Sequence, residues 1–161
     1  MKTKILTYLL FSQFLFSAAH ADNSSVNEAI YFEGGGYIHF SDSEDYKGTP
    51  YFFSAEVQRK DQWLYGLGLF NNSFDQFSQY LYGGYKFKFE DSLKNFHAKI
   101  TVGIIHGYKD EFKDKIPLNN SGFAPAIIPG IGWKKDKLGM DVILLGDAGL
   151  LFTVGYDIYS F

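Results

Sequence analysis

The chain has 161 residues, 15 Lys and Arg against 18 Asp and Glu, a net charge of −3 and no Cys. That length suits one domain; the missing Cys excludes a disulfide scaffold and thiolate metal sites. The acidic balance provides no basic stripe, so nucleic acid is not an expected partner. The 12 Tyr, 17 Phe and 17 Gly beside only 4 Pro suit alternating strands whose outer band faces lipid.

In chain order, the first predicted element is an export signal. Lys2 and Lys4 precede an apolar stretch from Ile5 to Phe16, and Ala19-His20-Ala21 supplies a small-x-small cleavage pattern. Residues 1–21 are therefore expected to be a signal peptide, with 22–161 as the mature domain. The apolar run is shorter than the roughly 20 residues that span a bilayer as a helix.

Runs with a period of two follow, separated by turn-rich clusters. They predict eight strands at about 30–40, 50–59, 62–71, 79–89, 95–107, 122–133, 138–146 and 149–161. An even number of strands predicts an all-β fold, an eight-stranded antiparallel up-and-down transmembrane β-barrel with both termini in the periplasm. In the third strand Trp63, Tyr65, Leu67 and Leu69 share the lipid face, opposite Gln62, Leu64, Gly66 and Gly68. In the fifth, Phe96, Ala98, Ile100, Val102 and Ile104 face outward, and in the sixth Phe123, Ile127, Ile131 and Trp133 do so. Large apolar side chains belong on that face, where the bilayer is the solvent.

With heights assigned along alternating strands, the inward positions divide into two halves. Glu33, Glu56, Gln58, Gln62, Lys86, Lys88, His97, Lys99, Asp141 and Asp157 fall in the lower interior. Gly35, Tyr37, Gly66, Gly68, Gly103, Ile105, Ala124, Ala126, Ile128 and Leu145 fall in the upper one. Side chains normally fill so narrow a barrel. Here the charged half fills itself, and the glycine-rich half predicts an apolar well open to the outer leaflet. The alternative is a solid barrel whose glycines relieve strain at bends.

Three segments resemble the PagP family of outer-membrane lipid A palmitoyltransferases. Tyr37-Ile38-His39-Phe40 ends the first strand, where the family has a histidine. Phe70-Asn71-Asn72-Ser73-Phe74-Asp75-Gln76-Phe77 is similar to the family's aromatic-x-Asp-Ser-aromatic-x-x-aromatic loop, and Ile116-Pro117-Leu118 follows the fifth strand as a similar triplet does there. Asn-Ser replaces the family's Asp-Ser, as in a divergent branch. The resemblance implies an outer-membrane acyltransferase that moves a palmitoyl-type chain from a glycerophospholipid donor to lipid A, as a monomer and without cofactor or metal. It implies His39 and Ser73 as catalytic residues, with Asn72 at the aspartate's position. An ungapped count from Ser73 puts Gly84 at the glycine that floors the acyl-chain well. The family's N-terminal amphipathic helix has no counterpart in Asp22 to Ala29, and its two strand-breaking prolines are replaced by Gly34 and the region of Leu145-Gly146. Gly34 to Gly36 are expected to loosen the first strand, and Pro125 and Pro129 remove ladder donors from the sixth.

Acyl transfer needs a nucleophile or activated hydroxyl, a base, and donors for a developing oxyanion. His39 is expected at the top of an odd strand, facing inward, with a titration range suited to a base. Ser73 tops the third strand, two strand spacings or ~10 Å away. Strict alternation points it outward, so contact requires the loop to bend inward. Asn72 is not an anion; an amide there donates to an oxyanion or holds the loop. His97 is expected in the polar floor and His106 on the outer rim; the acids and lysines from Lys109 to Lys115 read as a solvated face. A non-catalytic structural or adhesive barrel is the competing reading. A deacylase is disfavoured because no His lies in Phe152 to Phe161, and a channel because eight strands leave no aqueous pore.

Overall fold

A computed structural model describes residues 27–44 and 46–161; the expected signal peptide lies outside the described residues. Eight strands follow one another, β1 (Asn27–His39), β2 (Phe52–Arg59), β3 (Trp63–Asn71), β4 (Phe77–Lys88), β5 (Phe96–His106), β6 (Phe123–Lys135), β7 (Leu138–Leu144) and β8 (Gly149–Ser160). Each pairs antiparallel with the next, and β8 pairs with β1, so the sheet closes into a barrel. Along the paired lengths, closure satisfies the ladder N–H and C=O groups that a bilayer cannot hydrate. Among the described residues no helix is long and apolar enough to cross a membrane; a barrel crosses with strands.

The strands match the predicted ones to within a few residues, and the differences have local causes. β7 stops at Leu144 because Leu145 to Gly149 form a tight turn, in which the Ala148 N–H donates to the Leu145 carbonyl and Gly146 adopts φ +63. Gln62, expected in the third strand, belongs instead to the turn before it, at φ +72, with its N–H on the Arg59 carbonyl. Gly34 to Gly36 lie in regular register with Val154 to Phe152 of β8, so these glycines do not loosen the β1–β8 seam.

Alternation sets the two faces. Phe53, Leu81, Ile127 and Ile131 are each more than 60% exposed on the outside. An apolar band of that extent is unfavourable in water and suits a lipid solvent. Inside, the lower half is an ion cluster. Lys99 Nζ lies 3.0 Å from Glu56, 3.7 Å from Glu33 and 3.6 Å from Asp141, and His97 Nε2 lies 2.8 Å from Asp141 Oδ1. Ser54 and Thr153 donate to Glu33, and the Tyr82 hydroxyl donates to Glu56. A buried charge is tolerated only when its lone pairs and protons are met in this way. Lys88, expected among these groups, is exposed and pairs with Glu28 at the mouth.

The upper half packs Tyr37, Phe52, Ile143 and Leu151 in one cluster and Leu64, Tyr80, Tyr82 and Ile105 in another. Its glycines seat aromatic rings. A Cβ on Gly66 would stand 2.5 Å from the Tyr82 ring, and one on Gly68 would stand 2.8 Å from the Phe52 ring. The volume saved by one strand is thus partly taken by its neighbour.

Candidate active site

His39 and Ser73 are 34 positions apart in sequence, yet His39 Nε2 and Ser73 Oγ lie 2.7 Å apart. Two local structures make the contact. β3 ends at Asn71, and Asn72 then starts an Asx turn in which its Oδ1 accepts from the N–H groups of both Phe74 and Gln76. Asp75 takes φ +61 to complete the reversal. Strand alternation lapses at this turn, and Ser73 swings from its expected outward position to the inner rim.

The loop after β1 supplies the second hold. The N–H groups of Lys47 and Gly48 donate to the Ser73 carbonyl at 2.9 and 3.3 Å, tying the β3–β4 turn to the β1–β2 loop. Gly48 is required for that approach, because a Cβ there would meet the Asn72 carbonyl oxygen at 2.2 Å. Tyr46 from the same loop stacks on His39 with ring centroids 4.0 Å apart, and Tyr37 meets the imidazole edge-on at 5.2 Å. The Tyr37 hydroxyl donates to the Asn71 carbonyl at 2.8 Å.

Asn72 is 1% exposed, and its Nδ2 donates to Ser78 and Gln76. Of the two roles open to this amide, both ends are engaged in holding the loop. Among the described residues, Asp42 is the carboxylate whose charge acts on His39. Tyr46 and Asp42 were not marked by the sequence: a loop tyrosine and a loop acid carry no spacing that points to a histidine on another segment.

Below the pair lies a cavity of about 360 Å³, within the range that holds a small ligand. His39 and Ser73 stand at its mouth, Tyr37, Phe52, Phe70, Ile128 and Leu151 form much of its wall, and Glu33, Glu56 and Lys99 meet it at the bottom. Tyr108 on the rim is buried enough that its hydroxyl pKa is pushed up, so it stays neutral. Gly84 is buried and inward-facing, as expected, but does not line the cavity. Thr101 and Leu64 stand against it: a Cβ on Gly84 would meet Thr101 Cγ2 at 2.9 Å, Leu64 Cδ1 at 3.2 Å and the Ile100 carbonyl at 2.5 Å. The base of the cavity is built instead from Tyr80, Tyr82, Thr101 and the ion cluster.

The wall is incomplete on one side. Pairing between β6 and β7 runs only from Gly130 with Ile143 to Lys135 with Leu138, so Phe123 to Pro129 have no partner in β7. Pro125 and Pro129 carry no N–H to leave unsatisfied there. Ile127, 69% exposed on the lipid face, also lines the cavity, opposite Leu145 and Gly146. The unpaired upper stretch of β6 thus forms part of the cavity wall. His97 sits in the polar floor, and His106 stacks on Phe123 at the rim, 4.4 Å between centroids. No cluster of metal-ligating side chains is found among the described residues.

A closed eight-stranded antiparallel barrel with an apolar outer band belongs to the outer-membrane class of β-barrel proteins. No protein-family model matches the chain, and no curated protein matches it in sequence. Two solved barrels are similar in structure. One is the N-terminal β-barrel domain of Pseudomonas aeruginosa OprF, 12% identical with a TM-score of 0.48 over 80% of this chain and 96% of that one. The other is the Yersinia pestis outer membrane protein Ail in a phospholipid bilayer nanodisc, 15% identical with a TM-score of 0.45 over 80% of this chain and 99% of that one. The class follows from the ladder and its two faces.

Proposed function

We propose that this outer-membrane barrel is an acyltransferase that moves a palmitoyl-type chain from a glycerophospholipid to lipid A. The observation that carries the reading is the 2.7 Å His39–Ser73 bond at the mouth of an apolar cavity. A serine hydroxyl bonded to an imidazole is the arrangement that activates an oxygen nucleophile. Ser73 Oγ attacks the donor ester carbonyl as His39 Nε2 takes its proton. The ester C–O bond then breaks, and the lysophospholipid oxygen leaves with that proton. A lipid A hydroxyl, deprotonated in turn by His39, then attacks the acyl-serine; the bond from the acyl carbon to Ser73 Oγ breaks, and His39 returns the proton to Ser73. No cofactor or metal enters these steps. The gap above Gly130 supports the same reading, since a two-tailed lipid approaches from the membrane rather than from water.

The test is the mass of lipid A from cells with and without the protein. One added long acyl chain is expected with the parent, and none with His39→Ala or Ser73→Ala, each folded in the membrane. An unchanged mass with the folded parent leaves the non-catalytic barrel as the better reading.

A further inference from the structure

A second cavity, of about 210 Å³, opens at the opposite end of the barrel, where the chain makes its short turns. In barrels of this class short turns mark the periplasmic end. Arg59, Lys86, Lys88, Lys94 and Lys134 line it, against the carboxylates of Glu28, Asp136 and Asp157. Three of the five cations are matched. Lys134 pairs with Asp157 at 2.7 Å, Lys88 with Glu28 at 3.2 Å, and Arg59 with Asp61.

Lys86 is one of the two that are not matched. It is 7% exposed, and among the described residues its ammonium has neither an ion pair nor a hydrogen-bond acceptor; it lies over the face of Tyr31, 5.8 Å from the ring centroid. Glu56 and Asp141 attract it from further off while Lys99 and Lys134 repel it. Glu56 and Asp141 are themselves engaged by Lys99 at 3.0 and 3.6 Å. A buried ammonium without a partner is strongly unfavourable. Lys94, exposed at the mouth, is likewise unpaired among the described residues.

We propose that this cavity is an anion site for a phosphate group, with Lys86 as its inner contact, Lys134 beside it and Lys94 at its entrance. The excess of cations over carboxylates in the lining suits a phosphate. Its place at the periplasmic face admits either a phospholipid headgroup from the inner leaflet or free phosphate. The site lies at the far end from Ser73 and stands independently of the acyl-transfer reading.

The test uses the folded full chain, ¹⁵N-labelled, in an uncharged maltoside detergent. Inorganic phosphate is titrated at ionic strength matched with chloride; in a second arm, dihexanoyl phosphatidylglycerol is added below its critical micelle concentration. Saturable amide shifts at Lys86, His97 and Lys134 are expected. Saturation by phosphate alone assigns a free-anion site, and saturation by the lipid assigns a headgroup site. Lys86→Met should weaken binding roughly tenfold to a hundredfold, the loss of one charge-assisted contact. Lys94→Gln, on an exposed side chain that leaves the fold intact, should weaken it roughly threefold and decides the matter if Lys86→Met does not fold. Ser73→Ala should bind as the parent does. Shifts that do not saturate with either probe, or unchanged affinity in the folded lysine variants, overturn the site.

Discussion

Tyr46 lies flat on the imidazole of His39, with ring centroids 4.0 Å apart and planes inclined by 20°. Together with the edge of Tyr37, it limits the rotation of the ring whose Nε2 meets Ser73. An aromatic stack of this kind is worth about 0.5–1.5 kcal/mol beyond its buried area. Tyr46→Ala should therefore slow acyl transfer roughly two- to tenfold, while Tyr46→Phe keeps the stack and most of the rate. Initial rates with a purified phospholipid donor and lipid A acceptor check this. Equal rates in both variants would remove Tyr46 from the positioning role.

Asn72 acts on the same bond from the other side. Asn72→Ala strands two N–H groups, of Phe74 and Gln76, that now donate to its Oδ1. These donors are part-buried, so leaving each unmet costs less than the ~1–3 kcal/mol of a fully buried donor, and the turn that aims Ser73 inward loses its reason to close. Transfer should fall by at least about tenfold, with faster amide hydrogen exchange confined to residues 72–78. Asn72→Asp retains both acceptor contacts and should hold the turn better than Asn72→Ala. If the alanine variant is the better enzyme of the two, the turn is not what matters at this position.

Lys99 is the keystone of the floor. Three buried carboxylates, Glu33, Glu56 and Asp141, lie within 4.0 Å of its ammonium. Breaking such a set by removing one partner costs about 3–5 kcal/mol, because charges remain buried and uncompensated. Lys99→Met should lower the urea midpoint of the barrel in lipid vesicles, and Glu33→Gln in the same background should recover part of the loss. A Lys99→Met barrel as stable as the parent would mean that water, not the lysine, meets those carboxylates.

Gly84 and Tyr80 separate two accounts of chain length. A methyl on Gly84 presses on the Ile100 carbonyl and the Thr101 side chain rather than entering the cavity. Gly84→Ala is therefore expected to lower stability by about 1–3 kcal/mol through overpacking and to leave donor preference close to the parent's. Tyr80 does line the cavity, its hydroxyl donating to Thr101 Oγ1 at 3.1 Å. Tyr80→Ala should deepen the well and favour longer donors about fourfold per methylene admitted, from roughly 0.8 kcal/mol for each buried CH₂. Competition between phospholipids of different chain length measures both. A shift toward short chains in Gly84→Ala would restore that glycine as the ruler expected from the PagP-like resemblance.

Much of this molecule follows from the parity of its strands. Trp63 is 49% exposed and Leu64 1%, as a period of two requires, and the same rule sends Glu33, Glu56, His97, Lys99 and Asp141 inward together. In a barrel, which face a residue takes is a local property of the backbone, so the greasy exterior and the ionic floor are legible from residue order alone. The tertiary structure decided what parity does not reach. Ser73 was aimed outward by alternation, and only the Asx turn at Asn72 and the two hydrogen bonds from Lys47 and Gly48 bring it to His39. Whether a glycine leaves a void also depends on its neighbour. Gly66 receives the ring of Tyr82 because strand register sets the two opposite each other, and Gly84 stays behind Thr101 for the same reason. Pattern along one strand fixes the direction of a side chain, whereas the space it meets is set by chain segments far away in sequence, and only the closed barrel brings those segments together.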